Sequence, residues 1–309
     1  MRVSVVVRSY NRATYLALAL ESVLGQTRPP DQVVVVDDGS TDATPALLET
    51  YRAGVEVIRL PHTGNPARVL NAGLAAVNGD AVALLDSDDV WLPDKLDRQV
   101  RVLEVDDQVG FVYGNACLML PNGDRSEPVL RREQIVSGTL LPTLVRGMCI
   151  HPSTLLVRSA CLDQVGPLDE SERVNEDYFL LLRLARSTLG ACVADPVALI
   201  RRHPGQVSTA HGLQAYTAAI RALEDLLRDS SLPAGVRAEA RRTIGRFHAH
   251  VARALLDNSQ PVDAAAARRH ALAALVHHPL HRPAWRWGLA ALARSRPSFP
   301  RPSRPRVGG

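Results

Sequence analysis

The chain has 309 residues, and its 46% hydrophobic and 22% charged content is typical of a globular protein that can bury a sizeable core. No apolar run is long enough to cross a membrane, and the first apolar run is too short for a signal peptide, so we expect a cytoplasmic protein. The net charge of +4 equals the four arginines of residues 296–309, which leaves the remainder formally neutral and argues against a nucleic-acid partner.

Predicted strands and helices alternate through the first third of the chain. Apolar segments predict strands at 3–9, 32–38, 55–60 and 80–86, and amphipathic segments predict helices at 13–27, 42–54 and 66–79. The face of the first helix that is expected to pack on the sheet carries Leu16, Leu20, Val23 and Leu24. This alternation predicts right-handed βαβ units, and therefore an α/β fold with a mainly parallel sheet flanked by helices.

The pattern is less regular in the second half. It predicts a strand at 110–120, a strand and a short helix within 153–170, an amphipathic helix at 175–186 and an extended segment at 191–203. An Ala-, Leu- and Arg-rich helical region then reaches about residue 295, followed by a Pro- and Arg-rich tail that cannot form a core. We therefore expect an α/β domain over 1–210, a helical region over 211–295 and a disordered tail over 296–309.

Polar residues stand at the ends of three predicted strands. The three segments are Ser9-Tyr10-Asn11, Asp37-Asp38-Gly39-Ser40 and Asp86-Ser87-Asp88-Asp89. In an open sheet of parallel strands, ligands bind beyond the carboxyl ends of the strands. These segments therefore predict a cleft lined by carboxylates.

Two interpretations of these acids stay open on the residues alone. Asp86 and Asp88 suit a hard divalent cation such as Mg²⁺ or Mn²⁺, but Asp88 or Asp89 could instead cap the helix predicted over 92–105. Asp38 could accept a hydrogen bond from a nucleotide base while Tyr10 stacks on it, but the same segment also suits a turn and a helix cap.

Seven segments, taken in order over residues 2–210, resemble motifs of the family-2 glycosyltransferases, which have the GT-A fold. They read VSVVVRSYNRATYLALALESVLGQT, VVVVDDGSTD, LNAGLAAVNGD, ALLDSDDVWLPDKL, VGPLDE, NEDYFLLLRLA and RRHPGQVS. The resemblance implies an inverting, metal-dependent enzyme that moves a sugar from a nucleoside diphosphate sugar to a hydroxyl acceptor. Mn²⁺ or Mg²⁺ is the implied cofactor.

The resemblance also implies roles for individual residues. Asp177 matches the general base, with Glu176 beside it, and Asp88 and His203 match the metal ligands. The nucleotide-sugar site is expected to include Ser9, Tyr10, Asp38, Arg68, Asp86 and Ser87. One departure is Leu70, which stands where many family members carry an arginine before the Asn of LNAGL.

The donor is expected to be a nucleoside diphosphate sugar, with a UDP-sugar favoured, and the acceptor a glycan, a lipid-linked molecule or a small molecule. The basic C-terminal region further predicts peripheral contact with the inner face of a membrane. His277, His278 and His281 are expected to form a solvated helix end rather than a metal site. Trp285 and Trp287 are expected to pack within the helical region, with contact at a membrane interface as the alternative.

Two other functions are weighed against transfer. A sugar nucleotidyltransferase would carry a Gly-rich loop after the first strand, and the sequence has no glycine there. A catalytically inactive module that binds nucleotide sugars or carbohydrate would not need Asp86, Asp88 and Asp177 together.

Overall fold

The computed structural model describes residues 1–120, 123–203, 212–257, 264–280, 283, 285–287 and 290. The chain divides into two compact units, Met1–Ala240 and Arg241–Gly309. The predicted boundary at residue 210 stays a prediction, and the predicted tail lies outside the described residues.

One sheet of nine strands forms the centre of the first unit. Its strands are β1 (Val3–Ser9), β2 (Gln32–Asp37), β3 (Glu56–Arg59), β4 (Ala81–Asp86), β5 (Val90–Trp91), β6 (Val109–Met119), β7 (Arg125–Pro128), β8 (Leu156–Arg158) and β9 (Leu189–Arg201). The helices with bounds within the described residues are α1 (Ala13–Leu24), α2 (Thr44–Thr50), α3 (Pro66–Ala76), α4 (Lys95–Val105), α5 (Leu141–Leu144), α6 (Ser159–Val165), α7 (Glu176–Ser187), α8 (Gly212–Leu227), α9 (Ala234–Asp257) and α10 (Ala264–His277). Short 3₁₀ turns lie at Arg132–Gln134 and Pro152–Thr154.

The sheet is mixed. Its strand order is β3-β2-β1-β4-β8-β6-β9-β5, and β7 pairs with β6. The first four strands run parallel as predicted, whereas β8 is antiparallel to both β4 and β6, and β5 is antiparallel to β9. Antiparallel neighbours need no helical crossover, which explains why the second half lacks the regular alternation of the first.

Burial follows the sequence pattern in the parallel half. The Val-rich strands β1 and β2 are buried along almost their whole length, as expected of strands covered on both faces. In α1, Leu16, Leu20 and Val23 are buried, but Leu24 is 42% exposed, contrary to the prediction. At about 100° per residue, Leu24 lies about 80° round the helix from Leu16, at the edge of the apolar stripe.

The core also contains a lysine. Lys95, the first residue of α4, is fully buried, and its ammonium donates to Gln99 at 2.7 Å and lies 4.1 Å from the ring centroid of Trp91. Burial holds the pKa of Lys95 well below its ordinary value.

The second unit contains most of α9 and all of α10. Ala267, Ala271 and Ala274 form the buried face of α10, and a Cβ on Gly245 of α9 would lie only 2.7 Å from the Cβ of His278. The close approach of the two helices therefore depends on small residues. Among the described residues, no helix combines the length and the apolar character that crossing a bilayer requires.

The prediction that the histidines form a solvated helix end is wrong for His277 and His278. His277 and His278 are half-buried, and the His277 ring centroid lies 6.0 Å from that of His248. Trp287 is partly buried with the guanidinium of Arg253 5.5 Å from its ring centroid, as expected of packing within the region. His281 lies outside the described residues.

Candidate active site

Three strand ends meet at one edge of the sheet. Ser9 of β1 pairs with Asp37 of β2, and Arg8 of β1 pairs with Asp86 of β4, all in parallel register. The polar segments after these strands therefore share one edge, as the sequence predicts. Ser9 is buried, and its hydroxyl has no hydrogen-bond partner among the described residues.

The Asp38 carboxylate holds the loop that follows β3. It accepts hydrogen bonds from the backbone N–H groups of Thr63 at 2.9 Å and Gly64 at 3.0 Å, and from the Thr63 hydroxyl at 2.8 Å. His62 Nδ1 lies 3.0 Å from Asp38 Oδ2, and the Tyr10 ring stacks on His62 with centroids 4.0 Å apart. Tyr10 is 39% exposed, so this pair offers an accessible aromatic platform. Contact of a base with Tyr10 and Asp38 stays a prediction.

Asn11 joins the loop after β1 to the loop after β2. Its backbone is left-handed, with φ of 50°, and its side-chain oxygen accepts from the N–H groups of Thr41 at 2.8 Å and Asp42 at 3.3 Å. Gly39 also has a positive φ, 73°, and a Cβ there would lie 2.5 Å from the backbone nitrogen of His62. Only glycine allows the loop after β2 to approach the loop after β3 this closely.

The carboxylate of Asp88 faces His203. The distance from Asp88 Oδ2 to His203 Nε2 is 2.9 Å, and Arg12 Nε lies 3.8 Å from the same oxygen. The backbone carbonyl of Asp88 accepts a hydrogen bond from Arg201 Nε at 2.8 Å, which connects the segment after β4 to the end of β9. Ser87, which lies between Asp86 and Asp88 in the sequence, is buried.

Asp89 has a structural role. It is 2% exposed, and its carboxylate accepts from the Ser153 hydroxyl at 2.6 Å and from the backbone N–H of Arg201 at 3.0 Å. Burial, followed by the charges of Asp86 and Asp88, raises the pKa of Asp89 well above its ordinary value. The acid thus joins the segment after β4 to the 3₁₀ turn before β8 and to β9.

The capping interpretation of these acids is wrong. Helix α4 begins at Lys95, and the residue before it, Asp94, makes no side-chain capping hydrogen bond. Asp88 and Asp89 have the partners described above, several residues before the helix starts.

Arg8 connects the end of β4 to the start of α7. Its guanidinium donates to Asp86 at 2.5 Å and also to Glu176, the first residue of α7. Burial alone would lower the pKa of Arg8, but the charges of Asp86 and Glu176 raise it. Glu176 is only 7% exposed, so this ion pair fixes the first turn of α7 beside the end of β4.

Asp177 differs from its neighbour because the described residues include no ion-pair partner for it. One of its oxygens accepts from the backbone N–H of Tyr178 at 2.8 Å. Burial raises the pKa of Asp177 to about 7, the charges of Glu176 and Asp86 add to this, and Arg8 opposes it. A carboxylate with this pKa can accept a proton near neutral pH, as a general base must.

Sequence reasoning missed three groups near this edge. Arg8 carried a signal, since it is a lone charge within a Val-rich strand, whereas His62 and His151 carried none. Ligand atoms of His151, Asp86 and Asp89 lie within 4.8 Å of one another, so they form a second possible cation-binding group.

Arg68 is not brought into contact with these residues. It is exposed on α3, and no hydrogen bond or ion pair involves its side chain among the residues that the structure describes. Leu70 is 1% exposed and belongs to the core, which explains how an apolar residue is accommodated there.

Comparison with known proteins identifies the family. The sequence model of Glycosyl transferase family 2 matches residues 4–139. The succinoglycan biosynthesis protein ExoO of Rhizobium meliloti is 32% identical over 242 residues, covering 74% of this chain and 69% of that protein. The chain belongs to glycosyltransferase family 2.

Other family members cover less of their own length. An uncharacterized glycosyltransferase of Nostoc sp. is 40% identical over 176 residues, which is 55% of this chain and 54% of the relative. The chain spans about half to two thirds of the length of four of the curated relatives it matches, and less than a third of some others.

Solved structures confirm the fold of this family member. The structure of S. aureus TarS 1–349 in complex with UDP has a TM-score of 0.68 at 20% identity, and the match covers 94% of this chain and 89% of that chain. The mannosyltransferase PcManGT from Pyrobaculum calidifontis, in complex with GDP-Man and Mn²⁺, has a TM-score of 0.61 at 22% identity, covering 94% and 84%. The predicted GT-A-like α/β fold followed by helices is thus confirmed.

Proposed function

We propose that this protein transfers a sugar from a nucleoside diphosphate sugar to a hydroxyl acceptor, with inversion at the anomeric carbon. The observation that carries the proposal is the position of Arg8, which contacts Asp86 on one side and Glu176 on the other. Arg8 therefore holds Glu176 at the end of β4, where the donor is expected, and Asp177 is the next residue of α7.

In the proposed reaction, Asp177 accepts the proton of the acceptor hydroxyl. The hydroxyl oxygen then attacks the anomeric carbon, and the bond from that carbon to the diphosphate breaks, releasing the nucleoside diphosphate. General-base assistance of this kind is typically worth ~10²–10⁴-fold in rate. Attack from the face opposite the diphosphate inverts the configuration.

Asp88 and His203 are the proposed ligands of Mn²⁺ or Mg²⁺. Their ligand atoms are a carboxylate oxygen and an imidazole nitrogen that approach to 2.9 Å, and the carboxylate suits either ion. When bound, such an ion supplies positive charge to the leaving diphosphate. We favour this pair over the group with His151 because Asp89 is already held by Ser153 and Arg201.

The donor is proposed to lie along the edge that carries the aromatic platform. Tyr10 would stack on the base, and Ser9, Asp38, Arg68, Asp86 and Ser87 would line the remainder of the nucleotide-sugar site. TarS was solved with UDP, which supports a UDP-sugar, and PcManGT with GDP-Man, which makes a GDP-sugar the direct alternative.

We propose a cytoplasmic enzyme whose acceptor is a glycan, a lipid-linked molecule or a small molecule. The proposed membrane contact through residues 296–309 concerns a segment outside the described residues.

A thermal-shift screen tests the proposal. Nucleoside diphosphates and their sugars are added with Mn²⁺ or with a chelator, to wild type, to Asp88→Ala and to the exposed control Asp107→Ala. Binding at about 100 times Kd stabilises the folded state by about 2.7 kcal/mol, so the correct nucleotide should raise the Tm of wild type and control only.

The same nucleotide sugar is then incubated with Mn²⁺ to measure release of nucleoside diphosphate, which separates an enzyme from an inactive binding module. If no nucleotide raises the Tm, the donor site is wrong. If a nucleotide binds and no donor is cleaved with any acceptor, the chain is a binding module.

A further inference from the structure

An exposed apolar surface lies on the second unit, away from its packed face. On α10, Leu272 is 54% exposed and Val276 is 78% exposed, one turn apart on the same side of the helix. Beyond the helix, Leu280 is 87% exposed and Trp285 is 55% exposed. Exposure of Trp285 contradicts the predicted packing of this residue. We call these four residues the α10 face.

Positive charge accompanies this surface. Arg268 and Arg269 are exposed one turn before Leu272, and Arg286 is exposed next to Trp285. In the sequence, residues 258–309 hold nine arginines and a single acid, which gives this segment a charge of +8 and leaves −4 for the preceding part of the chain. The charge of the protein is therefore strongly asymmetric, and the apolar residues lie within its basic part.

The polar atom of the exposed tryptophan is satisfied within the protein. Trp285 Nε1 donates to the carbonyl of Pro279 at 2.9 Å. The rest of the indole can therefore enter an apolar layer without burying an unpaired donor. Tryptophans that are placed in this way are enriched at the boundary between water and the hydrocarbon of a bilayer.

We propose that the α10 face docks on an anionic lipid bilayer. The 14 residues of α10 measure about 21 Å, and the helix carries arginines, so it would lie in the headgroup layer and not cross it. Leucine, valine and tryptophan would enter the acyl boundary, while the arginines extend along the surface to lipid phosphates. An acidic protein is a weaker match, because its carboxylates would pair with the arginines and leave the four exposed apolar side chains unexplained.

Vesicle binding by the full-length protein tests this docking and does not depend on transferase activity. Wild type is sedimented with vesicles of phosphatidylglycerol and phosphatidylcholine, and with vesicles of phosphatidylcholine alone. The test variant is Leu272→Glu/Val276→Glu, and the matched control is Val105→Glu, at an exposed valine of α4 in the other unit. Circular dichroism verifies that both variants are folded.

We expect wild type and the control to bind the anionic vesicles, and the double variant to bind at least about tenfold more weakly. Brominated lipids should quench the tryptophan fluorescence of wild type, and Trp285→Phe should lose most of that quenching. Failure of wild type to bind anionic vesicles overturns the proposal. Equal binding of wild type and the double variant also overturns it, because the contact would then lie elsewhere, such as the arginine-rich tail.

Discussion

Replacing Asp177 with asparagine separates a catalytic carboxylate from an ordinary helix-start acid. Folding raises the pKa of this group from its ordinary 3.8 to about 7, first through burial and then through the charges of Glu176 and Asp86. At 1.36 kcal/mol per pH unit, a difference of about 3 units means that the ionised carboxylate destabilises the fold by up to about 4 kcal/mol.

The sign of this effect gives the variant a pH signature. Well below pH 3.8 the carboxyl is protonated in both the folded and the unfolded chain, and up to about pH 4 asparagine and aspartic acid remain nearly equivalent in stability. Between pH 4 and about 7 only the unfolded chain ionises, and the stabilisation by the bound proton is lost as the pH rises. Asp177→Asn should therefore have a higher Tm than wild type at pH 8, and nearly the same Tm at pH 4.

The kinetic effect should be opposite in direction. The amide of Asp177→Asn cannot take the acceptor proton, so kcat should fall by ~10²–10⁴-fold. The donor KM and the metal affinity should stay near those of wild type, because their ligands are other residues. A more stable protein with a much lower kcat is the combination to measure, by thermal melts and by initial rates of nucleoside diphosphate release.

Glu176→Gln is the matched control, one residue away. It removes one charged partner of Arg8, and Glu176 is only 7% exposed, so we expect destabilisation by about 3 kcal/mol with a smaller loss of kcat. If Glu176→Gln loses kcat and Asp177→Asn keeps it, the base is Glu176. If Asp177→Asn lowers the Tm at pH 8, the argument from its raised pKa is refuted. If neither change affects kcat, the two acids only begin a helix.

Substitutions at three further positions have defined outcomes. Asp88→Ala should abolish the Mn²⁺-dependent rise in Tm with donor nucleotide while the apo protein remains folded, and full activity of this variant in excess chelator would contradict the metal site. Arg8→Met should destabilise the fold by about 3–5 kcal/mol, because it leaves Asp86 and Glu176 without their cation. It should also move the acidic limb of the pH profile of kcat to higher pH, because Arg8 lowers the pKa of Asp177. Arg8→Lys should restore part of the stability and part of the pH profile. Stability in urea should rise with pH between the lowered pKa of Lys95 and 10.5, because there only the unfolded chain retains the proton, and Lys95→Met should lack that rise; an unchanged pH slope in the variant would show that another group is responsible.

The parallel half of the fold could be predicted because its information is local. Val-rich strands and amphipathic helices alternate, which predicts parallel strands joined by right-handed crossovers but does not predict the order β3-β2-β1-β4. The pairing of β8 with β4 could not be predicted, because it joins residues more than 70 positions apart and depends on neither segment alone. The exposure of Leu24 has a similar cause, because the apolar periodicity of a helix does not show how far round the helix the buried face extends.

The sequence predicted which strand ends form the site, but it did not predict which side chains pair with one another there. Parallel strands carry Asp38, Asp86 and Asp88 to one edge whatever their side chains contact. The contact between Asp88 and His203 was suggested only by a resemblance, since 115 positions separate the two residues. The pairing of Arg8 with Glu176 was not predicted. A charged residue within a buried strand indicates that it has a partner, but the sequence does not indicate which residue that partner is.

The hydrogen bonds of Asp89 affect when the site can form during synthesis of the chain. The segment after β4 is held by Ser153 and by Arg201, which leave the ribosome long after the strand itself. The parallel half can assemble early from local contacts, whereas these late contacts are of high contact order and form slowly. Until β9 is in place, Asp88 lacks His203 and Asp89 lacks the backbone N–H of Arg201, so these two carboxylates would repel each other. A nascent chain that ends after the family-matched residues 4–139 would therefore contain folded strands but an unfinished acidic loop.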